Sequence, residues 1–227
     1  MIDNLFQSLI DILLKLVIAA IPVILAITMP VAAEGWVAYK KGDTTARAQG
    51  RLTFNPIAHI DQIGTLAVPF ICFIFSQISH SGLLLFGWAK PLVLSPGRLR
   101  RPRIDTRWVA GSRIGASFAM VVLWAVVLRL MPPGDPYSLT GVLRQMALFG
   151  VQVNAIFTAF EVLPIPPYPG GRILVTFLSY PHAQQVEQLA PYANWIMLFL
   201  LFSGVLGVII SPIAGLAIGL AGLLTGF

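Results

Sequence analysis

Residues 16–33 read LVIAAIPVILAITMPVAA, a stretch without one charged side chain. Its length is close to the roughly 20 apolar residues that cross a hydrocarbon core as a helix. One such run can also be a buried core helix, so recurrence decides between the two. Gln62 to Leu85, Gln145 to Phe160 and Gln188 to Phe227 are equally free of charge, and Ile114 to Leu128 lies inside a longer apolar pattern. Across 227 residues the chain is 57% hydrophobic and only 11% charged, with a mean hydropathy of +0.83. Soluble domains carry about a quarter of their residues as charges. The reading is an all-α polytopic membrane protein, and without an internal repeat or composition shift it forms one transmembrane domain over residues 1–227.

The first run is read as a retained span. It lacks the basic opening of a secretory signal, Asp3 precedes any lysine, and no small-residue cleavage site follows. Cys72, the single cysteine, excludes an intramolecular disulfide and a cysteine-based zinc cluster, and reads as a small buried hydrophobe.

The net charge of +6 is concentrated in two places. Lys40, Lys41, Arg47 and Arg51 share one polar connection; Lys90, Arg98, Arg100, Arg101, Arg103, Arg107 and Arg113 lie in or beside another. Such connections face the cytoplasm and meet anionic lipid headgroups. In so apolar a chain they do not indicate nucleic acid. If both are on one side, Gln62 to Leu85 enters and leaves on that side, and 24 residues cannot cross twice. Either the segment is a re-entrant hairpin turning near Ser76 to Gly82, or one basic connection lies outside; the hairpin is favoured.

Prolines punctuate the rest. Met131 to Pro136 and Pro164 to Gly171 are connections that no helix continues through. Pro181 and Pro191 bracket a polar interfacial stretch, and Pro212 is expected to divide the tail into a full span and a shorter piece. Pro30 should bend or end the first span near Ala26 to Met29.

Three further stretches carry a resemblance. Gly50 to Thr65 reads GRLTFNPIAHIDQIGT, Phe86 to Pro91 reads FGWAKP, and Ile165 to Arg172 reads IPPYPGGR. Together with Trp36 to Ala46 they are similar to segments of the site-2 protease family, intramembrane zinc metalloproteases, over roughly residues 15 to 215. The resemblance implies a site-2-protease-like transmembrane helix bundle in the bacterial inner membrane. It also implies a zinc site of two histidines and a glutamate from H-E-x-x-H, with an aspartate in the proline-rich turn.

Position by position, that site is missing. The first histidine falls on Pro30, the base on Val31, the second histidine on Glu34 and the turn aspartate on Pro169. The family's asparagine in A-G-P-x-x-N falls on Gly115, and the one before the proline turn on Glu161. Proline and valine offer a metal no side-chain donor. His59, His80 and His182, the only histidines, lie in unrelated stretches and are read as polar structural residues. No catalytic, metal-binding or cofactor-binding residue is therefore assigned, and zinc, expected from the family, is expected to be lost.

Two carboxylates have been gained where the family's helices face their catalytic centre. A carboxylate at membrane depth is costly unless paired, and Arg113 is the candidate counter-ion of Glu34 and Glu161. The expected function is that of a catalytically inactive homologue that binds or regulates a client, a single-span membrane protein, through the family's cavity and the backbone of Gly170 and Gly171. The alternative is a metallopeptidase with Glu34 and Glu161 as oxygen ligands; a proton or cation pathway through the same pair is the third reading.

Overall fold

In the computed structural model, which describes residues 2–79 and 87–226, every element is helical and no strand occurs among the described residues. Helix α1 spans Ile2–Lys40 and short α2 spans Thr45–Ala48. A π-helical turn over Gln62–Ala67 leads into α3, Val68–Ser79. Helices α4, Pro102–Leu130, and α5, Leu139–Val162, follow as a long hairpin joined through the proline-glycine connection. Then come α6, Pro169–Val175; α7, Tyr180–Glu187; α8, Ala193–Phe202; and α9, Val205–Thr225.

Helices α1, α4 and α5 pack on one another, and α9 lies against α4 and α5. The stretches Leu13–Lys40, Pro102–Leu130 and Val205–Thr225 are long and apolar enough to cross a membrane. Helix α5, 24 residues long, is their central partner. It contributes Ala147, Val151, Ala155, Ala159 and Phe160 to the core, facing Val121, Trp124 and Ala125 of α4 and Leu206, Ile210 and Ala214 of α9. Small residues along α5 and α9 let the backbones approach closely, as helix association in lipid requires. Cys72 packs half-buried against this core.

The two basic connections meet at one end of the bundle. Arg100 N–H donates to the Lys41 carbonyl at 3.1 Å, and Ser95 N–H to Asp43 Oδ2 at 2.6 Å. Burial pushes the Asp43 carboxyl up. Donation from the Thr45 hydroxyl and the Ser95 and Thr45 amides, with Arg98 nearby, outweighs burial and holds it below the usual carboxylate range.

Trp88 comes back against the start of the segment that opens at Gln62: its N–H donates to the Gly64 carbonyl at 3.0 Å, and the Thr65 hydroxyl donates to its carbonyl at 2.8 Å. Asp61 starts the outward limb by accepting from Ile63 and Gly64 N–H at 3.0 and 2.7 Å, as an N-cap does. The expected turn at Ser76 to Gly82 is corrected in its first part, because α3 stays helical through Ser79. Its remainder, with His80, lies outside the described residues.

Two proline expectations are also corrected. Of the expected bend or end near Ala26 to Met29, the end is overturned: helix α1 continues through Pro22 and Pro30 to Lys40. Both prolines are buried among neighbouring helices, where a membrane helix tolerates the lost donor. Likewise Pro212 lies within α9; the tail divides at Gly204, whose φ of +75° ends α8. Only a residue without a Cβ takes that conformation without strain. As a result the shorter piece, α8, precedes the full span.

Candidate functional site

Helices α1, α4, α5 and α6 bring charged side chains together inside the bundle. Glu34 lies six residues before Lys40, about 9 Å of helical rise from the basic end of α1. Arg113 and Ser117 are four residues apart and so share a face of α4, while Glu161 is one residue from the end of α5. Arg113 Nε donates to Glu161 Oε1 at 2.8 Å, and its Nη1 to Glu34 Oε2 at 3.2 Å. Ser117 Oγ donates to Glu161 Oε2 at 2.6 Å. Arg172 Nη1 of α6 donates to Glu34 Oε1.

The pairing of Glu34 and Glu161 through Arg113, expected from sequence positions alone, is therefore present, with two members that sequence reasoning missed. Two carboxylates against one guanidinium leave a charge unbalanced; Arg172 balances it. That arithmetic is the signal that could have found Arg172, the first basic residue after the proline turn. Both carboxylates are nearly inaccessible, with side chains 2% and 7% exposed, whereas the arginines keep about a quarter of their surface, 26% and 25%. A buried ion pair needs its remaining lone pairs filled, and here each of the four carboxylate oxygens has a donor.

The proline-rich turn sets Arg172 in place. Pro169 is the first residue of α6, where its missing N–H costs nothing, and it is buried together with Gly171. A Cβ at Gly170 would collide with the Val162 carbonyl, and one at Gly171 with the Ile165–Pro166 backbone. The two glycines let α6 press on the end of α5. This corrects the expectation that their backbone pairs with an extended peptide, because Pro169–Val175 is a helix with no free edge.

Not every position the sequence singled out reaches the cluster. Pro30 is buried four residues before Glu34, while Val31 packs in an apolar group with Val23, Ile27, Val153 and Phe157. Gly115 is exposed, midway between Arg113 and Ser117, with open space around a built Cβ. It belongs to the opposite face of α4 and is withdrawn as a lining residue. His59 is fully buried in the basic cap, where its Nε2 bonds the Thr53 carbonyl at 2.8 Å and its Nδ1 the Arg51 guanidinium at 3.2 Å. Because arginine only donates, Nδ1 accepts and Nε2 carries the proton. His182 is exposed on α7, bonded to Ser179 Oγ at 2.7 Å.

This donor set does not fit a zinc ion. It contains no imidazole or thiolate, the ligands zinc favours, and every carboxylate oxygen already accepts from arginine or serine. No group of three histidine, cysteine, aspartate or glutamate side chains converges among the described residues.

Outside the cluster an apolar cavity of about 490 Å³ opens between α1, the π turn and α3. Leu16, Ala19 and Val23 form one wall; Leu66, Phe70 and Phe73 form the other.

No family model matches the chain, and no solved structure does. A curated protein of Bacillus subtilis (strain 168), named "Putative zinc metalloprotease YwhC", is 31% identical over 191 residues, 82% of this chain and 80% of that protein. At that identity and coverage, and with the helical architecture above, the chain belongs to the same family of site-2-protease-like, multi-pass membrane metalloprotease homologues.

Proposed function

We propose that this protein is a catalytically silent member of its family that holds a transmembrane segment of a client instead of cleaving it. The observation that carries the reading is the engaged cluster: every oxygen of Glu34 and Glu161 already accepts from an arginine or a serine, so a metal or a water proton would compete with those bonds. Hydrolysis in a zinc peptidase needs both an open metal position and a free base. The apolar cavity between α1 and α3 supplies a surface suited to an apolar helix of a single-span protein. The chain acts as one domain in the bacterial inner membrane, with the end that carries Lys40 and Arg100 in the cytoplasm.

The relative's name points to zinc proteolysis, and that reading is the competitor. It requires Glu34 and Glu161 to bind a metal in competition with the arginines and serine that hold them. Metal analysis of the purified chain decides between them. The wild type is expected to carry no stoichiometric zinc. A Pro30→His, Val31→Glu, Glu34→His, Pro169→Asp variant, carrying the family's ligands, serves as the positive comparison. One zinc per wild-type chain, with chelator-sensitive cleavage of a membrane peptide, would sink the proposal. For the client, a photocrosslinker at Phe70 should capture single-span membrane proteins, and Ala19→Trp, which fills the cavity, should abolish the capture.

A further inference from the structure

A second cleft, of about 530 Å³, separates the first turn of α4 from α6 and α7. Its α4 wall carries Arg103 and Thr106, three residues apart and so on one face. Tyr180, Gln184 and Glu187, spaced by four and three, form the α7 wall. Two other arginines nearby are already committed: Arg172 to Glu34, and Arg107 to the Thr176 hydroxyl at 2.8 Å and the face of Phe177. Arg103 and Glu187 are different. Both are exposed, and neither has an ion pair or hydrogen bond among the described residues, with each other or with any other group. One uncommitted cation and one uncommitted carboxylate therefore line opposite walls of a single cleft.

Two features argue for the level of the headgroups. The cleft lies at the first turns of α4, where Arg103, Asp105 and Arg107 precede the apolar stretch of that helix. Phe177, Tyr180, Tyr192 and Trp195 stand exposed around α7 and the start of α8, and exposed aromatics gather at the level of lipid headgroups. At that level the abundant ligands are phosphates, and a lone phosphate would leave Glu187 facing a like charge.

We propose that this cleft binds a dipolar headgroup in which a phosphate is joined to a primary ammonium. The phosphate sits on the Arg103 guanidinium and the Thr106 hydroxyl, helped by the positive end of α4. The ammonium donates to the Glu187 carboxylate. A trimethylated ammonium has no N–H to donate, so the site discriminates against choline. The headgroup belongs either to an aminophospholipid or to soluble phosphoethanolamine; the chemistry is shared, and the source is what the test separates.

The full chain in detergent is titrated with phosphatidylethanolamine, phosphatidylcholine, phosphatidylglycerol and free phosphoethanolamine, with bound ligand read by native mass spectrometry. Phosphatidylethanolamine should bind about tenfold more tightly than the other two lipids, equivalent to ~1.4 kcal/mol. Arg103→Gln should weaken all three lipids, whereas Glu187→Gln should erase only the preference. Both residues are exposed and outside the buried cluster, so both variants should fold. Phosphoethanolamine binding as tightly as the lipid would support the site and name the soluble source. Equal binding of the three lipids, or an undiminished preference in Glu187→Gln, would overturn it.

Discussion

Two groupings of glutamate and arginine in this protein follow opposite rules. Glu34 and Glu161 are buried with Arg113 and Arg172, and every carboxylate oxygen is used. Glu187 and Arg103 stand exposed on opposite walls of a cleft and bond to nothing among the described residues. The first arrangement resists change because removing any member strands a charge in low dielectric. Water satisfies both members of the second, which leaves them free for a ligand. Rigidity and availability are thus separated along α4: residue 113 serves the first and residue 103 the second.

The largest expected effect comes from removing the guanidinium that touches both buried carboxylates, in Arg113→Gln. Breaking one partner of a buried pair costs about 3–5 kcal/mol. Arg113 retains about a quarter of its exposure, which favours the lower end, roughly 3 kcal/mol. For a chain of this size that is a fall in melting temperature of ~6–12 °C, read by thermal unfolding in detergent. Arg103→Gln should change stability by no more than about 0.5 kcal/mol. Equal losses in the two variants would erase the contrast between cluster and cleft.

Much of the cluster was legible in the sequence because a resemblance assigned positions to faces of helices. Glu34, Glu161 and Arg113 could be placed near one another before any coordinates. Gly115 failed by the same route: a motif alignment fixes a residue's number, not the face it takes, and two residues from Arg113 is the far side of a helix. Arg172 is not marked by the resemblance, which singles out Pro169 for the side chain it lacks and is silent on the cation that follows. The tail was misdivided for a physical reason as well. Proline is the usual breaker, yet a membrane helix absorbs Pro212. Of five glycines from Gly204 to Gly222, nothing local shows which takes a positive φ. The approach of Trp88 to Gly64 was only half legible: charge placement left either a hairpin or a basic connection on the outside, and favoured the hairpin.

A smaller loss is expected from the turn that aims Arg172. Gly170→Ala places a methyl group against the Val162 carbonyl, and overpacking of this kind costs ~1–3 kcal/mol. The effect reaches the cluster only if α6 shifts, so the variant tests how tightly Arg172 is held. In a double-mutant cycle, Gly170→Ala and Arg172→Gln should be less than additive in thermal stability. Strict additivity would show that the glycine packing and the Arg172–Glu34 pair are independent, and that the proline turn has no part in setting the cluster.

The smallest effect lies in the basic cap and should be visible only as a pH dependence. Burial pushes the His59 imidazole down, donation to the Thr53 carbonyl opposes this, and the Arg51 charge adds to the lowering, so its pKa lies below its ordinary value of 6.5. The unfolded chain then binds a proton at a higher pH than the folded one does. Stability from this residue is fully present above about pH 6.5 and is lost as pH falls through the folded pKa. Melting temperature should decline from pH 7 toward pH 5 in the wild type and stay flatter over that interval in His59→Gln, which starts lower because Thr53 and Arg51 lose their partner. The cluster variant Arg113→Gln should keep the wild-type decline, since His59 belongs to a separate network. A wild-type melting temperature that rises over the same interval would mean that the buried imidazole is already protonated, which the neighbouring guanidinium opposes.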